Sequence, residues 1–133
     1  MPRLRYMLPA MLLCLPALAD EPVTCNPLGT NLQKTRCALD DERQANIVLG
    51  RAYALLSSTL DADGREQLHI EQRRWIVQTD SACHIAANAQ VKMGAYWPVT
   101  LHQCYADMTR NRTNAIADQL KKAKKRTGKT VDT

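Results

Sequence analysis

The chain has 133 residues, a formal net charge of +5, five cysteines and no phenylalanine. A length of this order supports one domain with a modest core. The charge is uneven. From Asp20 to Leu120 ten Lys and Arg stand against twelve Asp and Glu, a net of −2, while Lys121, Lys122, Lys124, Lys125, Arg126 and Lys129 fall in the last thirteen residues. A mildly acidic body with a basic tail gives no basis for a nucleic-acid partner, and it points the tail towards anionic surfaces if it binds anything.

The first nineteen residues read as a secretory leader. Arg3 and Arg5 precede an apolar run from Met7 to Leu18, and Ala17-Leu18-Ala19 supplies a small-x-small cleavage site. That run is too short to span a bilayer and contains Pro9 and Pro16, so the mature chain from Asp20 is expected to be exported and soluble. Leu13 before Cys14 is poorly suited to lipoprotein processing, which argues against a lipid anchor. About 114 residues then remain. They carry Cys25, Cys37, Cys83 and Cys104, an even count that in a short exported chain reads as a disulfide framework.

The segment from Thr30 to Leu60 is nearly free of Gly and Pro and opens on Thr30-x-x-Gln33, a capping-box pattern, so it predicts a long helix. Ala38, Ala45, Val48, Leu49, Ala52, Leu56 and Leu60 recur along it at helical steps. The consecutive acids Asp40, Asp41 and Glu42 point in different directions and suit a solvated face, not a catalytic carboxylate pair. Asp61-Ala62-Asp63-Gly64 supplies a turn. A second helix follows from Gly64 to about Ala89, capped by Asp63 with Glu66, with an inner stripe of Leu68, Gln72, Trp75, Thr79, Ala82 and Ala86. So short a connection predicts that the two helices pack as an antiparallel hairpin.

Gly94 and Pro98 bracket a loop around Tyr96 and Trp97, and periodicity resumes with Leu101, Cys104, Met108, Ala115 and Ile116 towards Leu120. No segment shows the alternation of a half-buried strand. The expected fold is all-α: a three-helix antiparallel bundle built on a long helical hairpin, stapled by two disulfides, over residues 20–120. The basic tail, 121–133, is expected to be disordered. Four cysteines allow three pairings. Cys25 with Cys37 and Cys83 with Cys104 is one arrangement, and Cys37 with Cys83 across the hairpin is geometrically as reasonable.

Paired cysteines ahead of a long helix, Leu49 and Tyr53 within it, Gln72-Arg73-Arg74-Trp75-Ile76, Asp80 and Cys83, then Gly94, Cys104, Thr109 and Arg112 together resemble the LprI-type lysozyme inhibitor family. The likeness covers roughly Cys25 to Leu120, and its most specific piece is Gln72 to Cys83. It implies a helical, disulfide-bonded bacterial envelope protein, periplasmic or secreted, with lysozyme as its protein partner. It also implies sequential pairing, Cys25 with Cys37 and Cys83 with Cys104. The chain departs from the family pattern at Asn46 and Gly50, which bracket Leu49 where an Asp and an Asn are usual, and at Thr79, where an Arg commonly precedes the Asp.

Under that pairing, Trp75 lies eight residues before Cys83 and Arg112 eight residues after Cys104, so the two are expected to face each other. Arg112 falls on the apolar stripe of the third helix, where an unpaired charge is costly, and is expected to stack on Trp75 or pair with Asp80 as structural glue.

No catalytic residue emerges. His69, His84 and His102 lack metal-ligand spacing, and neither a phosphate-binding glycine loop nor a nucleophile elbow is present in the sequence, so neither a metal nor a cofactor is expected. A binding role fits better. Lys92, Tyr96 and Trp97 lie on a connection that the Cys83–Cys104 bridge implied by the resemblance would clip at both sides, and two low-entropy aromatics there are suited to contact a partner. The leading expectation is occlusion of a lysozyme cleft by this loop. The alternative is a non-enzymatic envelope-binding module whose tail contacts peptidoglycan, lipopolysaccharide or the membrane surface.

Overall fold

The computed structural model describes residues 23–91 and 94–129. The leader, Lys92 and the last four residues lie outside them. Three long helices make up the domain: α1 (Asn31–Ser58), α2 (Ala62–Val91) and α3 (Trp97–Lys129).

Each boundary has a local cause. Thr30 caps α1 through the expected box: its hydroxyl accepts from the Gln33 amide at 3.3 Å, and Gln33 Oε1 accepts from the Thr30 amide at 3.0 Å. Helix α2 begins earlier than its sequence signal. Asp61, not Asp63, is the cap, its carboxylate accepting from the Gly64 amide at 2.8 Å, which starts the helix at Ala62. Helix α3 begins at Trp97, with Pro98 in its first turn, where a missing N–H costs nothing. At the other end α3 runs to Lys129, so residues 121–129 continue the helix, contrary to the disordered tail expected from composition. Lys and Ala are good helix formers, cations are favoured at a helix C-terminus, and Lys121 pairs with Asp118 at 3.2 Å.

The bundle runs up, down and up. Cross-links from α3 reach α1 at Glu42 and Asn46 from His102 and Thr109, so these two helices are parallel. They reach α2 at Cys83 and Gln72 from Cys104 and Arg112, so α2 runs antiparallel to α3. Helix α3 packs closely on both neighbours, whereas α1 and α2 approach each other at few points. The connection between α1 and α2 is as short as expected, but the close hairpin packing is not formed, because both helices pack on α3 instead.

Two apolar clusters fill the interior. Leu49, Leu56, Leu68 and Ile116 form one, flanked by Ala52, Tyr53, Leu60, Trp75 and Leu120. Cys83, Ala87 and Leu101 form the other, with Trp97, Cys104, Tyr105 and Met108 packed against them. The α2 stripe therefore turns through Cys83 and Ala87, not the expected Ala82 and Ala86; Ala82 is exposed. On α1, Val48 points outward, and on α3 Ala115 is exposed while Ala106 and Thr109 are buried. The swing on α2 follows from the Cys83–Cys104 bridge, which fixes which flank of the helix faces α3. Both bridges implied by the family resemblance are present: Cys25–Cys37 and Cys83–Cys104, with Cα atoms 4.6 and 5.5 Å apart. Both lie in the half of the bundle that holds the α1 N-terminus, the α2 C-terminus and the α3 N-terminus.

Candidate functional site

The clipped end presents the first candidate surface. Gly94 to Tyr96 form a turn closed by the Trp97 amide on the Gly94 carbonyl at 2.9 Å. Trp97 faces inward: its indole Nε1 donates to Asn88 Oδ1 at 2.8 Å, its ring lies 5.7 Å from that of His84, and it packs on the Cys83 cluster. Tyr96 stays 40% exposed and lines a cleft of about 310 Å³ with Pro27, Lys34, Asp41 and Gln103. Two further apolar side chains stand free at this end, Leu28 at 93% and Leu32 at 63% exposure. Of the expected contact residues, Tyr96 is thus available, Trp97 braces the turn that carries it, and Lys92 lies outside the described residues.

A ladder of polar contacts runs along α3. His102 Nδ1 meets Glu42 Oε2 at 2.7 Å, Thr109 donates to Asn46 at 3.4 Å, and Arg110 makes a two-pronged pair with Asp41 at 2.9 and 3.0 Å. Asp107 and Asp41 together stabilise the Arg110 charge and raise its pKa. Glu42 is only 23% exposed, so the acidic triplet is not a uniformly solvated face: two of its members hold α1 to α3. Nothing in helical spacing alone marks that role.

On the α2 side, the Tyr105 hydroxyl donates to Asp80 Oδ1 at 2.7 Å. Burial, then the hydrogen bond and charge of Asp80, push the phenol pKa up to about 12. This contact corrects the expectation for Arg112. Asp80 is taken by Tyr105, and Arg112 Nε instead donates to Gln72 Oε1 at 3.0 Å, while its Nη2 is buried with no partner. Trp75 joins the Leu49 cluster, and no stacking contact with Arg112 forms. Tyr105, the residue next to Cys104, stands level with Asp80, whereas Arg112 lies two turns further along α3, beside Gln72. Thr79, at the position where the family carries Arg, is buried and its hydroxyl also lacks a partner.

The sparse contact between α1 and α2 leaves a groove between them, which the sequence reading did not anticipate. One stretch, about 320 Å³, is lined by Asn46, Leu49, Gly50, Tyr53, His69, Gln72, Arg73 and Ile76. Asn46 also borders a separate hollow between α1 and α3, beside Glu42 and His102. A Cβ placed on Gly50 would meet nothing within 4 Å, so the wall there is open backbone. Among the described residues no group of three His, Cys, Asp or Glu converges as a metal site, and no helix is long and apolar enough to cross a membrane.

The family description "Lysozyme inhibitor LprI" matches residues 25–116, from the first bridged cysteine to the buried Ile116 of α3. The chain belongs to the LprI lysozyme inhibitor family. Its LprI domain thus spans both disulfides, the α1/α2 groove and the Tyr96 turn. The family is named for inhibiting an enzyme, not for catalysis. The chain is also 27% identical over 130 residues to the uncharacterized protein R02472 of Rhizobium meliloti (strain 1021), covering 86% of this chain and 93% of that protein. No solved structure gives a significant match.

Proposed function

We propose that this LprI-family protein acts in the periplasm or outside the cell, where it binds a lysozyme and blocks its cleft with the Tyr96 end of the bundle. The observation that carries the reading is the family membership over residues 25–116. The geometry supports the choice of surface. Tyr96, Leu28 and Leu32 are large apolar side chains exposed at one end, and that end is held by both disulfides and by the Trp97–Asn88 bond. Apolar anchors on a rigid base lose little entropy on docking, which favours tight contact. Occlusion is steric and calls for no catalytic group on the inhibitor.

The test is a cell-wall lysis assay with the oxidised mature chain titrated against lysozymes of different types. Saturable inhibition, lost on reduction and weakened about tenfold or more by Tyr96→Ala, is the expected result. Inhibition should persist at high salt, because an apolar contact is little screened. Absence of inhibition for every lysozyme type, with salt-sensitive binding to anionic envelope polymers that is lost on removing residues 121–133, would replace this reading by that of an envelope-binding module.

A further inference from the structure

Arg112 is hydrogen-bonded to Gln72, which lies eight residues and so about 12 Å along α2 from Asp80. Among the described residues no carboxylate pairs with Arg112, and its Nη2 is buried and unsatisfied. A buried N–H donor left unpaired is costly unless something compensates it. The one partner of Arg112, Gln72, forms a wall of the α1/α2 groove. With Oε1 of Gln72 accepting from Arg112, the Nε2 hydrogens are what its amide has left to donate. Beside it stands Arg73, exposed and, among the described residues, without an ion-pair partner. No acidic side chain lines this stretch of the groove, although the body of the chain is net acidic. Leu49 and Tyr53 on α1 and Ile76 on α2, 53% exposed, give the groove its apolar surface, beside the polar side chains of Asn46 and His69.

We propose that this groove is a binding site for a short peptide carrying a free carboxylate and an aliphatic side chain. The carboxylate meets Arg73 and the Gln72 amide, with the Arg112 charge behind them, and the aliphatic group lies against Leu49, Tyr53 and Ile76. About 320 Å³ holds one or two amino-acid residues and no more, which sets the ligand as a peptide terminus and not a folded surface. The open backbone at Gly50 gives that ligand its room. This site is separate from the Tyr96 end and stands or falls without it.

The experiment is a titration of the oxidised protein followed by amide NMR shifts, with N-acetyl-Leu-Glu as one probe and L-Ala-γ-D-Glu-diaminopimelate, a cell-wall stem peptide, as the other. Saturable shifts centred on Asn46, Gly50, Gln72 and Arg73 with either probe support the site, and the tighter probe identifies the source of the peptide. The fully amidated, uncharged N-acetyl-Leu-Gln-amide should bind at least about tenfold more weakly than N-acetyl-Leu-Glu. Arg73→Gln should weaken binding by a similar factor, and Gly50→Leu should abolish it without loss of thermal stability, while Tyr96→Ala should leave it unchanged. No saturable shift below about 10 mM with either acidic probe, or equal binding of the amidated probe, overturns the proposal.

Discussion

Tyr105 and Asp80 are joined across the α2/α3 interface by a 2.7 Å hydrogen bond, and this contact helps hold the phenol in its protonated form. Arg112 stands two helical turns away, where Gln72 is its partner. Removing the hydroxyl with Tyr105→Phe should cost about 1 kcal/mol, a modest loss because Asp80 is 65% exposed and water replaces the phenol. Thermal unfolding of the two proteins at neutral pH measures it.

The same bond gives stability a signature at high pH. Tyr105 keeps its proton in the folded state up to about 12, above its value in the unfolded chain near 10. Its contribution is fully present below pH 10. It is lost as the pH rises from there towards 12, because the unfolded chain releases the proton first. Wild type should therefore lose more stability than Tyr105→Phe over this window, measured by denaturant unfolding at fixed pH values.

Arg112 should separate shape from charge. Arg112→Met retains most of the packing volume and removes the unpaired donor, so its stability should lie within about 1 kcal/mol of wild type. Arg112→Ala also removes the packing stem and should lose more, about 1 to 2 kcal/mol. Equal losses in the two variants would show that the charge, not the packing, stabilises this position.

The two bridges should contribute unequally. Removing Cys83–Cys104 as a pair of alanines should cost about 2 to 4 kcal/mol. Cys25–Cys37 closes 12 residues against 21, and loop entropy alone makes it weaker by about 0.5 kcal/mol. Cys83 is also fully buried, which widens the gap, whereas Cys25 is exposed. Denaturant midpoints of the two double variants test the order.

The two glycines that flank the α1 start and midpoint should respond in opposite senses. Gly50 sits inside α1 with free space around it, so Gly50→Ala should stabilise by about 0.5 to 1 kcal/mol. Gly29 has no such space: an added Cβ runs into the Gln33 side chain that closes the capping box, so Gly29→Ala should destabilise. Melting temperatures of both variants suffice.

The sequence by itself determined the all-helical architecture. A helix is a local object: the three- and four-residue recurrence from Ala38 to Leu56, the Thr30–Gln33 box and the Asp61 turn are all legible within one segment of chain. Cysteine number and spacing, read with the family resemblance, also gave the pairing that the structure holds. The partners of polar side chains were decided only by the tertiary structure. Periodicity puts Asp80, Tyr105 and Arg112 near one interface, but which of them meet depends on how far α3 is rotated and shifted against α2. Tyr105 and Arg112 lie two turns apart on α3, and the register selects which of them stands opposite Asp80. The same rotation turned Trp97 inward and left Tyr96 outside, drew Glu42 into contact with His102, and brought α1 and α2 onto α3 instead of onto each other. The groove between them is a consequence of that packing, formed by residues far apart in the chain, and no single segment of sequence carries its signal.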